Sequence, residues 1–259
     1  MNQDKWQPSK YVYKKGRLIA SRDKNEVNVG SRLIADIIAG IYDEHLKSHA
    51  KGKLLDLGCG KVPLFMAYKD YVTDNICVDW ENSLHENKYL DYVCDLTKPL
   101  PFDDQVFDTI ILSDVLEHIF QPDHLWMEIH RLLSINGKII MNVPFFYCLH
   151  ERPYDYFRYT EFALKLFVEN SGLRLILIKP IGGAPEILAD IIAKHVQFIP
   201  FIGNVTAIFI QSMAKHFVNT RIGSGISKKT AQVFPIGYFL IAEKQNNFSP
   251  RRWFDLIIF

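Results

Sequence analysis

The sequence predicts an α/β fold built on a doubly wound, mostly parallel sheet, and two patterns along the chain support this prediction. Short apolar runs typical of buried strands alternate with longer segments in which apolar residues recur at helical spacing. Such alternation is typical of parallel strands joined by helices. The length of 259 residues suits one large domain or a domain with an appendage, and 48% hydrophobic residues allow a sizeable core.

Seven strands are predicted from the short apolar runs. They cover residues 53–57, 75–79, 91–95, 107–113, 137–143, 173–178 and 235–244. Helices are predicted at 31–49, where apolar residues recur on one face, and between strands at 122–133 and 161–170. Thr160 suits the N-cap of the last of these helices, and Gly172 suits its end.

The chain divides in this interpretation into an N-terminal part and one main domain. Residues 1–52 form an arm and a helix, and residues 53–259 form the domain. A strongly apolar segment at about 186–232 is interrupted by Pro200 and by Gly203–Asn204. We expect this segment to be a helical insertion before the last strand rather than a separate domain.

A glycine turn follows the first strand of the sheet. The run LLDLGCG places Gly58 and Gly60 where a side chain would obstruct a tight turn or a close ligand. The GxGxxG pattern of dinucleotide-binding proteins is incomplete, because Val62 and Pro63 stand where further glycines are expected. By itself the turn therefore fits either a ligand site or a plain connection.

Acidic residues end the next three strands. Asp79, Asp95 and Asp114 all fall at the carboxyl edge of the predicted sheet, where ligands bind in open α/β folds. One such acid is often a helix cap, but three in succession are harder to explain as caps, and an acid at the place of Asp79 suits a ribose hydroxyl. A nicotinamide dinucleotide fits less well, since its pyrophosphate requires glycines for close approach.

Five runs of residues share their order and spacing with a known family. They are LLDLGCG, VDW, DYVCDL, FDTIILSDVLEHI and EIHRLLSINGKIIMNVP. In these runs, over about residues 53–180, the chain resembles the class I S-adenosylmethionine-dependent methyltransferases, most closely the methyltransferase type 11 group. PIGYFLIAEK is similar to the antiparallel last strand of that family. The resemblance implies a Rossmann-like, seven-stranded sheet with an antiparallel last strand, and S-adenosylmethionine as cofactor.

The same resemblance implies a set of cofactor-binding residues. These are Asp56, Gly58, Cys59, Gly60, Asp79, Trp80, Asp95, Leu96, Ser113 and His118. The glycine turn would lie along the methionine part, Asp79 would hold the ribose diol, and Asp95 would flank the adenine. The LEHI stretch, including Glu117, would border the methyl donor. The chain departs from the family at Val62–Pro63, which replaces a third glycine, and at Asn136–Gly137, which replaces a Gly-Gly turn.

The stretch HERPYDYFRYT, residues 150–160, follows the fifth strand and lies at the same predicted edge of the sheet. His150 is the candidate general base, because its ordinary pKa of about 6.5 suits proton transfer at neutral pH. Asp155 is a second catalytic candidate, which could orient His150. Candidate acceptor-binding residues are Tyr154, Arg158 and Tyr159, since tyrosines suit sugar rings and arginine suits anionic groups. The same residues could instead only pin the loop.

This loop also resembles a segment of methyltransferases associated with bacterial cell-surface polysaccharide and glycan biosynthesis. The resemblance implies a sugar or glycan acceptor and methylation at oxygen. Two alternatives stay open, namely methylation of a small metabolite or quinone-like lipid and a cofactor-binding scaffold without catalysis. The net charge of +1 and the lack of an (N/D)PPY-like tetrad disfavour a nucleic-acid partner. The cysteines do not show the spacing of metal ligands, so no metal site is predicted.

The insertion contains an uncharged stretch, 195–214, that is about as long as a membrane span of roughly 20 residues. Pro200, Gly203 and Asn204 argue against a span, and a helix–turn–helix lid over the acceptor pocket fits better. Ordinary packing or a homodimer contact is the first hypothesis. A helix pair at a membrane surface is the second, because basic residues flank the stretch and the tail 251–259 is basic and apolar.

The cysteines and the N-terminus indicate the compartment. Cys59, Cys77, Cys94 and Cys148 show no CxxC spacing, and the first residues lack an apolar signal core. We therefore expect free thiols and a cytoplasmic protein. The alternative is a cytoplasmic protein that also contacts the inner face of the membrane.

Overall fold

The computed structural model describes residues 5–82 and 88–246, and within them seven strands form one sheet. These strands are β3 (Lys53–Leu57), β4 (Asp74–Asp79), β5 (Tyr92–Val93), β6 (Phe107–Ser113), β7 (Leu133–Pro144), β8 (Leu173–Ile181) and β9 (Gly237–Lys244). A separate antiparallel hairpin joins β1 (Tyr11–Lys14) to β2 (Arg17–Ala20). The predicted α/β class is confirmed, including the antiparallel last strand.

The sheet has the order β5-β4-β3-β6-β7-β9-β8, and β5, β4, β3, β6 and β7 pair in parallel. The chain moves outward from β3 to β5 and then returns to the other side of β3 with β6. The carboxyl ends of β3 and β6 are therefore a topological switch point, where open α/β sheets leave a crevice for ligands.

Helices connect many of the strands along the chain. They are α1 (Arg32–His49), α2 (Phe65–Tyr68), α3 (Pro122–Leu132), α4 (Glu161–Asn170), α5 (Ala184–Val196), α6 (Gly203–Val218) and α7 (Arg221–Thr230). Thr160 caps α4 as predicted, because its side chain accepts a hydrogen bond from the backbone N–H of Ala163. The predicted helical insertion before the last strand is confirmed by α5, α6 and α7.

Some boundaries differ from the predicted ones. Strand β5 keeps only two of five predicted residues, both exposed, because a short edge strand gains few ladder bonds and little burial. Strand β7 starts earlier than expected, at Leu133, with an irregular register against β6 near Phe107. The β1–β2 hairpin was not predicted, since a two-stranded ribbon carries a weak local pattern.

The main core lies between the sheet and helices α3 and α4. Trp126 and Ile129 of α3 and Leu164 and Val168 of α4 are buried against residues of β6, β7 and β9. Within each helix the buried residues recur every three or four positions, so one face turns inward. Burial of each such side chain contributes roughly 1.5–3 kcal/mol.

The chain forms two compact units. Of the described residues, the first contains 5–6, 46–82, 88–179 and 238–246, and therefore most of the sheet. The second contains residues 7–45 and 180–237, which include the hairpin, most of α1 and the insertion helices. Residues 1–4, 83–87 and 247–259 lie outside the described structure, and so does the basic, apolar tail.

Hydrogen bonds join the two segments of the second unit. Gln211 of α6 accepts the backbone N–H of Leu33 at 2.7 Å and donates to the carbonyl of Val29 at 2.6 Å. Gln197 accepts the backbone N–H of Gly30 at 2.9 Å. Between the described ends of the chain, no helix is both long and apolar enough to cross a bilayer.

Candidate active site

The glycine turn lies at the switch point. Gly58 has φ +67°, and a Cβ at this position would lie 2.5 Å from Cγ2 of Val115. Its N–H donates to the carbonyl of Val78 at 2.8 Å, which ties the turn to β4. The turn therefore requires glycine both for its backbone conformation and for the close approach of the segment after β6.

Asp79 organises the turn from the end of β4. One carboxylate oxygen accepts the N–H of Gly60 at 2.9 Å, and the other accepts the N–H of Trp80 at 2.8 Å. The side chain is buried together with Cys59. Gly58, Cys59, Gly60, Asp79 and Trp80 are thus brought together, as expected for one side of a cofactor cleft.

Asp56 lies beneath this turn and is 4% exposed. The hydroxyl of Tyr68 donates to its Oδ2 at 3.4 Å. Burial, together with the nearby Asp79, raises the pKa of Asp56 to about 7, and the bond from Tyr68 only partly opposes this. A buried carboxyl of this kind is prepared to release a proton when a cationic group binds beside it.

Further predicted cofactor residues lie just beyond β5 and at the end of β6. Oδ1 of Asp95 accepts both the N–H and the hydroxyl of Thr97, at 2.9 and 2.7 Å. Desolvation opposes ionisation of Asp95, but these bonds and Lys98 outweigh it and lower its pKa. Leu96 is buried. The hydroxyl of Ser113 donates to Oδ1 of Asn142 at 2.8 Å, which joins β6 to β7.

Two positions depart from the family pattern, and both have positive φ. Asn136 has φ +61°, which asparagine tolerates better than most residues. Val62 has φ +50°, which is rare for a β-branched residue, and it is fully buried. Its carbonyl accepts the indole N–H of Trp6 at 3.1 Å. The chain therefore adopts the turn conformation at Val62 that a glycine would adopt more easily.

The loop at 150–160 is tied to the segment that follows β6. The carbonyl of Glu117 accepts the backbone N–H groups of Tyr156 and Phe157, at 3.0 and 3.2 Å. The ring of Tyr154 packs edge-on against the ring of Trp80, with centroids 4.7 Å apart. A predicted acceptor residue and a predicted cofactor residue are thus in contact, at the carboxyl edge of the sheet.

His150 lies between two carboxylates. Its Nδ1 is 3.3 Å from Oδ2 of Asp155, and its Nε2 is 3.5 Å from Oε1 of Glu117. Burial lowers the pKa of His150, but the neighbouring carboxylates of Glu117 and Asp155 outweigh it, so its pKa is raised. The predicted partnership of His150 and Asp155 is present in this geometry.

Asp155 is held on several sides. Its carboxylate receives two bonds from Arg158, at 2.6 and 2.8 Å, and its side chain is 2% exposed. Desolvation acts to raise the pKa of Asp155, but Arg158 and the backbone N–H of His150 lower it to about 2. Asp155 therefore remains ionised beside His150.

Two residues expected to bind the acceptor have structural partners instead. Arg158 forms the fork on Asp155 and also donates to the carbonyl of Cys148 at 3.1 Å. Tyr159 is buried, and its hydroxyl donates to the carbonyl of Leu116 at 3.3 Å. Both contacts fix the loop, which was the alternative interpretation of these residues. Tyr154 keeps a half-buried position.

Glu117 is the residue whose position the sequence did not reveal. It is 0% exposed in a 3-10 turn, Leu116–His118, and it faces both His118 and His150. Desolvation raises its pKa, although His150 lowers it in part. The LEHI stretch was expected to border the methyl donor, but the pairing with a histidine 33 residues further along arises only from the fold.

Residues 55–141 match the family described as a methyltransferase domain. This segment includes the glycine turn, the strand-end acids and the LEHI stretch, so the family covers the candidate cofactor site. Together with the site geometry, it supports S-adenosylmethionine as the cofactor. None of the curated proteins searched matches the chain.

Several solved structures share the fold at low sequence identity. A putative sarcosine dimethylglycine methyltransferase from Galdieria sulphuraria has a TM-score of 0.54 at 14% identity, with 92% of each chain covered. The cyclase SpnF has a TM-score of 0.53 at 16% identity, covering 92% of this chain and 87% of its own. A SAM-dependent methyltransferase from Archaeoglobus fulgidus has a TM-score of 0.50 at 18% identity, covering 79% and 93%. At such identities these likenesses show the fold.

Proposed function

We propose that this S-adenosylmethionine-dependent methyltransferase transfers the methyl group to an oxygen of a hydroxylated small acceptor, of the sugar or glycan class. The observation that carries the proposal is the pair His150–Asp155, which lies at the same sheet edge as the glycine turn and Asp79. A methyl acceptor of low acidity requires a group that takes up or stabilises its proton, and an oriented histidine suits this task.

The reaction is an in-line displacement. An oxygen lone pair of the acceptor forms the new O–CH3 bond while the CH3–S bond breaks, and its electron pair stays on sulfur as S-adenosylhomocysteine. The hydroxyl proton passes to the neutral imidazole of His150, whose other nitrogen faces Asp155. The ionised Asp155 stabilises the imidazolium that forms.

Cofactor binding is proposed to use the residues around the glycine turn. Asp79 and the backbone of Gly58–Gly60 would face the ribose and methionine parts, and Asp56 would face a cationic group. Asp95, Leu96 and Ser113 would line the adenine and methyl ends. These assignments are the ones that the family resemblance implies, and the position of each residue at or just beyond the carboxyl end of a parallel strand supports them.

The sugar-like acceptor is supported by the aromatic groups beside His150. The ring of Tyr147 lies edge-on to His150, with centroids 5.5 Å apart, and Tyr154 lies against Trp80. Flat rings with polar tips suit polyhydroxylated ligands, but they suit aromatic head groups as well. Methylation of a small metabolite or quinone-like lipid is therefore the alternative, and a scaffold without catalysis is the third hypothesis.

A membrane-surface partner is a second part of the proposal. Phe201, Val205 and Phe209 recur at helical spacing at the start of α6 and along it, and all are exposed. Basic residues of α7, Arg221, Lys228 and Lys229, are exposed as well. An apolar stripe beside basic residues suits an anionic lipid surface and a lipid-linked acceptor. A homodimer contact through the same stripe is the alternative.

The test is an acceptor screen with mass detection. Purified protein is incubated with S-adenosylmethionine and panels of saccharides, lipid-linked sugars, quinols and small metabolites. A product 14 mass units heavier than a saccharide, lost in His150→Gln, supports the proposal. Methylation of a quinol or an amine instead would replace the acceptor class, and cofactor binding without any methylation would favour the scaffold.

A further inference from the structure

The candidate active site contains a group of metal-binding side chains. Glu117, His118 and His150 each direct one ligand atom to the same place, and these atoms all lie within 4.8 Å of one another. Oε1 of Glu117 is 3.7 Å from Nε2 of His118 and 3.5 Å from Nε2 of His150. Around a tetrahedral zinc ion with bonds of about 2.0–2.1 Å, ligand atoms are roughly 3.3 Å apart. The two pairs that contain Glu117 are thus close to this spacing.

The buried carboxylate supplies an independent indication of a missing partner. Within the described residues, neither oxygen of Glu117 has a hydrogen-bond partner, although the side chain is 0% exposed. Nε2 of His118 also lacks such a partner there. A buried, unpaired carboxylate is costly, and it commonly indicates a bound ion or water.

The outer nitrogens of both histidines have the partners that metal ligands require. Nδ1 of His118 lies 2.9 Å from the carbonyl of Tyr154, so it carries the proton and leaves Nε2 free as a ligand. Nδ1 of His150 faces Oδ2 of Asp155 at 3.3 Å, again with Nε2 turned inward. A carbonyl or carboxylate behind each ligating histidine is the usual arrangement around protein-bound zinc.

We propose that Glu117, His118 and His150 bind one divalent transition metal of the zinc class, with an open position for an acceptor oxygen. Two imidazoles and one carboxylate suit zinc and its neighbours rather than magnesium or calcium, which prefer oxygen ligands. Three protein ligands leave the fourth tetrahedral position to water or substrate, as in catalytic zinc sites.

This metal site deepens the proposed function and, in its catalytic consequence, rests on it. With a metal on Nε2, His150 would act as a ligand instead of a base. Coordination lowers the pKa of a bound hydroxyl, so the acceptor oxygen would lose its proton to water and attack as a metal-bound alkoxide. The O–CH3 bond forms and the CH3–S bond breaks as before. Asp155 would then act through His150 as a positioning residue.

The experiment measures metal binding directly. The full chain is treated with a chelator, exchanged into metal-free buffer and titrated with Zn2+ by calorimetry, with Mg2+ as the comparison. We expect one Zn2+ per chain, no comparable binding of Mg2+, and at least tenfold weaker Zn2+ binding in Glu117→Gln and in Asp155→Asn. Co2+ in place of Zn2+ should give the intense visible absorption of a four-coordinate site.

Matched variants separate this site from other zinc ligands. Cys148→Ser removes an exposed thiol two residues from His150, and His124→Gln removes a histidine of α3 outside the cluster. Both should bind Zn2+ as the wild type does. If Glu117→Gln fails to fold, His118→Gln replaces it. S-adenosylhomocysteine binding should persist in Asp155→Asn, Cys148→Ser and His124→Gln, which shows that the cofactor site is intact in these variants.

The outcomes are distinct. Absence of Zn2+ binding by the wild type, or binding equally strong in Glu117→Gln and His118→Gln, overturns the metal site. If methylation then persists in the presence of a chelator, the proposed function still stands, with His150 as the base. If one Zn2+ binds but no acceptor is methylated, the metal site stands and the proposed reaction fails.

Discussion

Asp155 holds His150 at two points. Its Oδ2 accepts the backbone N–H of His150 at 2.9 Å and lies 3.3 Å from Nδ1 of the ring. The same carboxylate is fixed by the fork of Arg158. One ring nitrogen of His150 therefore faces Asp155 and the other faces Glu117. Because protein groups hold both nitrogens, the orientation of the ring does not depend on a substrate.

Replacement of Asp155 by asparagine should slow methyl transfer. We expect kcat to fall by about 10–100-fold, which is less than the roughly 100–10,000-fold contribution of a general acid–base group because Asp155 acts through His150, while the KM for S-adenosylmethionine changes less than about twofold. His195→Gln, at an exposed position of α5, is the control for a general effect of altered polar groups. An unchanged kcat in Asp155→Asn would remove Asp155 from the mechanism.

The pH dependence of kcat should report the charge around His150. Because Glu117 and Asp155 raise the pKa of His150, its neutral form is lost as the pH falls, and the rate should drop below a midpoint above about 6.5. In Asp155→Asn one of these charges is gone, so the midpoint should move to lower pH. A rate profile with the same midpoint in both proteins would contradict the assignment.

Loss of Asp79 should abolish cofactor binding. Asp79→Ala removes the acceptor of the Gly60 and Trp80 N–H groups, so the turn loses its order as well as a proposed ribose ligand. Calorimetric titration with S-adenosylhomocysteine should show at least about 100-fold weaker binding, since an unpaired buried N–H costs roughly 1–3 kcal/mol and a lost charged bond adds to it. Asp103→Ala, at an exposed position, should bind normally.

Asp56 should make the free protein less stable as the pH rises. Its pKa is about 7 in the folded protein and 3.8 in its ordinary state, so between these values the folded state holds a proton that the unfolded state has lost. The free energy of unfolding therefore falls as the pH rises through this window. From about pH 5 to pH 8, the free energy of unfolding of the wild type should fall by an amount on the order of 2–3 kcal/mol, as measured by urea unfolding. The free energy of unfolding of Asp56→Asn should not show this fall. Parallel pH profiles for the two proteins would refute this.

Gly58→Ala should destabilise the turn at the switch point. The added methyl group would meet Val115 at 2.5 Å in a left-handed backbone, which costs about 2–4 kcal/mol in total. Val115→Ala in the same chain should restore part of the loss. Gly40→Ala is the control: its Cβ meets nothing within 4 Å inside α1, so a gain of roughly 0.5–1 kcal/mol is expected.

Replacement of Phe201, Val205 and Phe209 by serine in one triple variant tests the exposed stripe of α6. Flotation with vesicles that contain anionic lipid should recover the wild type and lose the triple variant, because each buried apolar side chain contributes roughly 1.5–3 kcal/mol. Phe162→Ser, at an exposed position of α4, should float normally. If the wild type does not bind vesicles and is a dimer, and the triple variant is a monomer, the stripe is a homodimer contact instead.

Local pattern was enough to predict the sheet and its ligand edge. Strands such as β3 and β6 have the predicted bounds, since continuous apolar runs encode burial on both faces of a parallel sheet. Asp79 at the end of β4 and Asp95 just beyond β5 could also be assigned to one edge, because all parallel strands present their carboxyl ends there. The fold class, and the edge of the sheet where the candidate cofactor residues lie, therefore depend on information that neighbouring residues carry.

Only the tertiary structure decided which partners the side chains of the loop have. Glu117 and His150 meet across 33 residues, and Arg158 turns to Asp155 rather than outward, because rotamers and loop packing lie beyond any periodic pattern. Residues 7–45 join 180–237 in one unit for the same reason, since long-range contacts leave no trace in local spacing. The sequence thus determined where chemistry is possible, and the packing of distant segments decided which groups meet there.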